Sequence, residues 1–348
     1  MASETYLSGP PAFTSLWPAF PQLSPASRGV REAIVRVMHD VTDVKVLGAA
    51  GQTIAGRYVV TMGGGVHRFL KVFENEIRSL QVHSDQVARR CSESGIPVIL
   101  AMTPDPVAIG DGFSAMLFPF VDARFSDRTV EEVRTVGSLI GKVHRCLEDY
   151  PRAREIEIAA DGMHARLCAT AERILGGWTA HARFQPIALS AARRYIVGLL
   201  IRTHAQMVHG DCNYTNFLFD RHTGEPFIID FEESRSAWLN PLSDLAVATQ
   251  RFALVDRSNQ SPRLAAALID GYVAASGRQV RTDDLNRAGE EMIARSILLM
   301  AEKEAEGIAI PEAEWQKFFD LAEIARATRS LPATGAEATS DEGATREV

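Results

Sequence analysis

The stretch Val208-His209-Gly210-Asp211-Cys212-Asn213-Tyr214-Thr215-Asn216-Phe217-Leu218-Phe219 organises the reading of the whole chain. An apolar helical stretch leads into it and an apolar strand leaves it. Asp211 and Asn216 are separated by four residues. A carboxylate at the first position can accept or orient the proton of an attacking hydroxyl. An amide oxygen at the second can ligate a hard cation without adding another full charge beside it. His-Gly-Asp alone is common in turns, so the weight rests on Asn216 and on a second motif downstream. There, Phe227-Ile228-Ile229-Asp230-Phe231-Glu232 is an apolar strand that delivers an aspartate at its end. The interval from Asn216 to Asp230 is about one hairpin, so two oxygen ligands can sit on adjacent strand ends.

Upstream, Phe69-Leu70-Lys71-Val72-Phe73 reads as a strand on which Phe69, Lys71 and Phe73 share one face. Lysine is scarce here, occurring only at positions 45, 71, 142, 303 and 317. A lysine between two aromatics is either snorkelling or paired in a cleft. Around it, residues 42–73 read as strands, with Gly63-Gly64-Gly65 as a turn. Residues 28–40 and 76–94 read as helices, the second ending at Gly95 with Pro97 beyond. Further strands are expected near 98–102 and 113–121. From about 127 the texture is helical. Val133, Val136, Ile140, Val143 and Leu147 recur at steps of three and four. Helices are also expected at 162–176, 187–205, 241–254, 262–275, 284–306 and 311–328. A hairpin at 217–219 and 226–229, turning at Gly224, interrupts them. The layout is α+β and two-lobed. A flexible arm spans 1–27, a small β-rich N-lobe 28–121, a larger mostly α-helical C-lobe 122–330 and a disordered tail 331–348.

The 348 residues are 46% hydrophobic and carry a net charge of −7, which suits a core of two lobes and disfavours a nucleic-acid-binding body. The four cysteines form no C-x-x-C pair and suit neither zinc nor a disulfide framework, as expected of reduced thiols in a cytoplasmic protein. No apolar run reaches membrane-spanning length, and no signal-peptide pattern opens the chain. There is no G-x-x-x-x-G-K-S/T, which excludes a P-loop protein.

Asp211 and Asn216 have the D-x-x-x-x-N spacing of a kinase catalytic loop, and Asp230 stands in the place of the D-F-G aspartate. His209-Gly210-Asp211 with Asn216, Ile229-Asp230-Phe231-Glu232, Pro241-Leu242-Ser243-Asp244-Leu245-Ala246 and the helix Val136–His144 resemble the aminoglycoside phosphotransferase and choline kinase-like superfamily. The resemblance spans roughly residues 40–328. It implies a protein-kinase-like fold with ATP and Mg²⁺ bound between the lobes. It also implies phosphoryl transfer to a hydroxyl of a small molecule such as an amino alcohol, amino sugar, aminoglycoside or amino acid. Carried onto this sequence, Asp211 is the catalytic base or the group that orients the hydroxyl, Asn216 and Asp230 hold the metal, and Lys71 grips phosphate. Phe118-Pro119-Phe120-Val121 is the hinge facing adenine, with Phe118 and Phe120 beside the cofactor. Asp244 braces the catalytic loop.

The sequence departs from the family pattern in two places. The glutamate that pairs the lysine is replaced by a shorter acid, for which Asp85 is the candidate and Glu76 the alternative. The nucleotide loop is reduced to Gly48-Ala49-Ala50-Gly51. His209 and His144 are read as packed, hydrogen-bonded residues. Glu232 and Glu233 are open between metal ligand, contact to a cationic acceptor and solvated side chain. Two other functions stand beside the main one: a Ser/Thr protein kinase of the bacterial stress-response type, and a non-catalytic nucleotide-binding scaffold. Oligomeric state is not legible.

Overall fold

Alternation along the strand around Lys71 splits an antiparallel sheet into two chemically different faces. In the computed structural model, which describes residues 18–48, 53–110, 112–255 and 260–328, six strands form this sheet. They are β1 (Leu23–Pro25), β2 (Val41–Leu47), β3 (Gly56–Met62), β4 (His67–Glu74), β5 (Val107–Ala108) and β6 (Phe113–Pro119), in spatial order β1-β2-β3-β4-β6-β5. On one face Leu70 and Val72 of β4 pack with Val44, Val60 and Ile34. Ile34 belongs to helix α1 (Arg28–Val37), whose first turn is capped by Ser27 Oγ accepting from the Val30 amide. On the other face Phe73 packs with Met116 and Ala101, while Phe69 and Lys71 line a cavity. Helix α2 (Arg78–Glu93) follows β4.

The chain leaves this sheet at Pro119. By β7 (Ala123–Phe125) it has joined a second one, where β7 pairs with β9 (Phe217–Asp220) and β9 with β10 (Pro226–Ile228). The crossing between lobes therefore falls at Phe120–Asp122. The C-lobe helices are α3 (Val130–Leu147), α4 (Ala153–Leu175), α5 (Gln185–Ile196), α6 (Leu242–Thr249), α7 (Ser261–Ser276), α8 (Thr282–Ala305) and α9 (Glu312–Thr328). A two-stranded ribbon pairs β8 (Gln206–Met207) with β11 (Trp238–Leu239) on either side of the hairpin. All five apolar residues of the expected stripe on α3 are fully buried. Helices α3 and α7 approach backbone to backbone. A Cβ on Gly137 would lie 2.0 Å from the Leu268 carbonyl oxygen, and one on Gly271 2.0 Å from that of Arg134. That close approach fixes α3, and with it His144, against the centre of the lobe.

Three expectations are corrected. Residues 98–102 do not form a strand: Val98 makes one isolated parallel bridge to Ile228, and the Ala101 amide is taken by the Asp85 side chain instead of a sheet partner. The helix expected at 187–205 ends at Ile196, ahead of Gly198, whose φ of +108° is incompatible with helix. Residues 1–27, read as a loose arm folding onto the body through Trp17 and Phe20, contribute strand β1, which pairs with β2 in register Leu23↔Leu47 and Ser24↔Val46; Trp17 lies outside the described residues. Tail residues 331–348 lie outside the described residues. Among the described residues, no helix is long and apolar enough to cross a membrane.

Candidate active site

The loop after β8 turns sharply at Gly210, with φ +87°. A Cβ there would come within 2.7 Å of Ala237 Cβ and 3.1 Å of Glu233 Cβ. Only glycine meets both demands. The loop is then held from behind. Asp244, fully buried on α6, accepts the His209 amide at 2.9 Å and the Gly210 amide at 3.0 Å. It also lies 3.0 Å from His144 Nε2 of α3. Burial alone would raise the Asp244 pKa, but the His144 contact, His209 and the Gly210 amide outweigh it and hold the group below the usual carboxylate range.

His209 joins the loop to the hairpin. Its Nδ1 accepts the Asp211 amide at 3.3 Å, so Nε2 carries the proton donated to the Ile229 carbonyl at 3.0 Å. Its ring lies 4.7 Å from that of Phe231. His209 and His144 are therefore framework residues, as read from the sequence. Cys212 is fully buried, and burial pushes its thiol pKa up, consistent with a packing role.

Asp211 Oδ2 accepts from Asn213 Nδ2 at 2.7 Å and from Asn216 Nδ2 at 3.0 Å. Its Oδ1 receives no protein donor among the described residues. The same Asn216 Nδ2 also donates to the Asp211 carbonyl at 2.9 Å, so the amide is oriented with Oδ1 turned to other use. The Ile229 amide donates to the Asn216 carbonyl at 3.0 Å, fastening the two strand ends together. Asp230 comes next at φ +68°, a left-handed backbone unusual for a side-chain-bearing residue. Its Oδ1 is buried with no hydrogen-bond donor among the described residues and lies 3.9 Å from Lys71 Nζ. Buried acceptors without donors are costly, and such strain concentrates at functional sites.

Asp230 Oδ1 and Asn216 Oδ1 are therefore available to a hard cation. Among the described residues, no group of three or more His, Cys, Asp or Glu could hold a metal unaided. That suits Mg²⁺, which typically takes one or two protein oxygens and completes its octahedron with water and phosphate.

Lys71 points to this pair across the cleft, but its carboxylate partner is Glu232, not Asp85. Asp85 lines the same cavity but pairs with other groups, accepting from Arg89 Nε at 2.6 Å and the Ala101 amide at 2.9 Å. A short acid facing a helix-borne arginine one turn on satisfies itself locally before it can reach a strand lysine. The alternative, Glu76, is not the partner either, since the carboxylates beside Lys71 Nζ are those of Glu232 and Asp230. Gly48 is likewise displaced from its expected role: its amide donates to the Gln22 carbonyl at 2.9 Å, and Leu47, not Gly48, lines the cavity. Gly51 lies outside the described residues. Phe118 and Phe120 do line the cavity, at the opposite end from Asp230. Glu232 stood among the open candidates, but its pairing with Lys71 was not expected. Gln81 escaped the sequence reading altogether: it lines the cavity, and its buried Nε2 has no partner among the described residues.

The cavity encloses about 560 Å³, within the range of small-molecule sites. Lys71, Asn216 and Asp230 mark its polar end, and Leu47, Phe69, Phe118 and Leu218 its apolar walls. On the far side of Asp211 the charges are mixed. Glu233 is open to solvent, yet the surrounding protein raises its pKa, helped by Asp211 and Glu232 and opposed by Arg295. Arg295 on α8 is buried, with Nη2 2.8 Å from Met163 Sδ and no carboxylate within 4.0 Å among the described residues.

No curated protein matches the chain. Among solved structures, an amicoumacin kinase in complex with AMP-PNP and Ca²⁺ aligns with a TM-score of 0.58 at 15% identity, covering 87% of this chain and 97% of that one. An aminoglycoside phosphotransferase from Alicyclobacillus acidocaldarius subsp. acidocaldarius aligns at 0.51 and 17% identity, covering 88% and 95%. A spectinomycin phosphotransferase with ADP and spectinomycin aligns at 0.55 and 14% identity, covering 88% and 100%. At these identities the likeness shows a shared two-lobed kinase-like fold. A model of the phosphotransferase enzyme family matches residues 46–282, more than half the length, and the chain belongs to that family.

Proposed function

We propose that this protein is an ATP- and Mg²⁺-dependent phosphotransferase that moves the γ-phosphoryl group to a hydroxyl of a small molecule. The observation that carries it is the buried, donorless Asp230 Oδ1 beside the Lys71 ammonium, with the Asp211–Asn216 contact on the neighbouring strand end. When bound, Mg²⁺ would be held by Asn216 and Asp230 and would neutralise phosphate charge. Lys71 contributes a further positive charge on the phosphate side. Asp211, restrained through Oδ2, presents Oδ1 to the acceptor hydroxyl and takes its proton. The acceptor oxygen bonds to the γ-phosphorus, the bond from that phosphorus to the bridging oxygen breaks, and ADP leaves with the electron pair. Positioning and charge neutralisation supply most of the acceleration.

A small acceptor is supported by the chain beyond Asp230. It passes through one helical turn (Glu232–Ser236) and β11 directly into α6, leaving little chain for a peptide-docking segment. ATP consumption over amino alcohols, amino sugars, aminoglycosides and hydroxy amino acids tests this. One acceptor class should give turnover that Asp211→Ala reduces by about 10³-fold or more. Nucleotide binding with no turnover across the whole panel would instead support a non-catalytic scaffold.

A further inference from the structure

The N-terminal segment Pro18–Leu23 lies outside the family match at 46–282, yet it forms one side of the cavity just described. It is fastened to both lobes. On the N-lobe, β1 pairs with β2 and the Gln22 carbonyl accepts the Gly48 amide at 2.9 Å. On the C-lobe, the Phe20 ring lies 5.0 Å from that of Phe125, tilted by 60°, and the Arg221 guanidinium sits 5.6 Å from the Phe20 centroid. Phe125 in turn lies 5.4 Å from Tyr214 of the catalytic loop. The segment thus touches both lobes along the cavity. The cavity retains about 560 Å³ with the segment in place, so the segment walls the site and does not plug it.

We propose that Phe20 is a nucleotide-binding residue, supplying an apolar wall for the base and ribose that the family's own portion of the chain does not provide. This rests on the phosphotransferase reading of the same cavity. The charged end holds phosphates through Lys71, Asn216 and Asp230. The aromatic end then excludes water from the base, and each ring buried there adds apolar contact.

Full-length protein and its Phe20→Ala, Phe20→Leu and Arg221→Ala variants would be titrated with Mg·ATP and with Mg·tripolyphosphate, which has no base. Phe20→Ala should weaken ATP binding about tenfold and leave tripolyphosphate binding unchanged. Phe20→Leu should recover most of the loss, and Arg221→Ala should show a smaller loss in the same direction. A Phe20→Ala variant that binds ATP within twofold of wild type, or more tightly, overturns the proposal. So does an equal loss for both ligands, which would mark a merely structural role. Wild-type protein that binds neither ligand would sink the phosphotransferase reading itself, a separate outcome from failure of the arm.

Discussion

Between His209 and Asn216 the polar contacts stay within the C-lobe: Asp211 to Asn213 and Asn216, His209 and Gly210 to Asp244, and His209 to the Ile229 carbonyl. Across the cleft, Lys71 finds its carboxylate 161 residues away, at Glu232. The first region is a prefolded scaffold, in which each donor has a neighbour dictated by spacing. The second exists only when the lobes meet, because Lys71 stands on a strand of the N-lobe and Glu232 in a helical turn of the C-lobe. The geometry proposed for catalysis is built into the C-lobe, whereas the proposed phosphate grip depends on how the lobes are apposed.

Removing the anchor of the prefolded side should have the largest effect. Asp244→Ala strands two buried amides and His144 at once, and should cost about 3–5 kcal/mol in chemical denaturation. A cost under about 1 kcal/mol would show that the loop holds itself. The contact between the lobes should show a pH signature. His83 of α2 is buried, with Nε2 3.0 Å from Ser234 Oγ in the turn after Asp230. Burial, then Arg152 and Arg235, lowers its pKa from 6.5 to about 4. The unfolded chain therefore binds the proton first. Stability conferred by neutral His83 is complete above about pH 6.5 and is lost as pH falls toward 4, by up to about 3 kcal/mol. Denaturation midpoints of wild type and His83→Gln should diverge over that window; parallel curves would remove His83 from the account. The smallest effect separates the two acids. Glu232→Gln should alter nucleotide KM by about tenfold with little change in stability. Asp85→Asn should leave nucleotide KM unchanged and cost about 1–2 kcal/mol of stability. The reverse pattern would restore Asp85 as the lysine's partner.

The same contrast explains what the sequence could and could not reveal. The spacing of Asp211, Asn216 and Asp230 is local, set by a turn and a hairpin, and so it is legible from residue types alone. The stripe on α3 is legible for the same reason, since helical period fixes which residues face inward. The partner of Lys71 is not local. Asp85 has the right charge at nearly the right place, but its orientation is decided by Arg89 and by the Ala101 amide, neither of which sequence spacing weighs against Lys71. Gly48 looked like part of a nucleotide loop because nothing in its neighbourhood reveals that Gln22 folds back onto it. The arm itself is proline- and serine-rich, a composition that hides strand β1, whose hydrogen bonds come from β2.

Convergence of Asn216 and Asp230 on one cation is the claim most directly open to measurement. ADP affinity would be determined with and without Mg²⁺ for wild type, Asn216→Ala, Asp230→Ala and Asp211→Ala. Mg²⁺ should tighten binding in wild type and in Asp211→Ala, and that gain should vanish in Asp230→Ala and shrink in Asn216→Ala. A full Mg²⁺-dependent gain in Asp230→Ala would contradict the site as built.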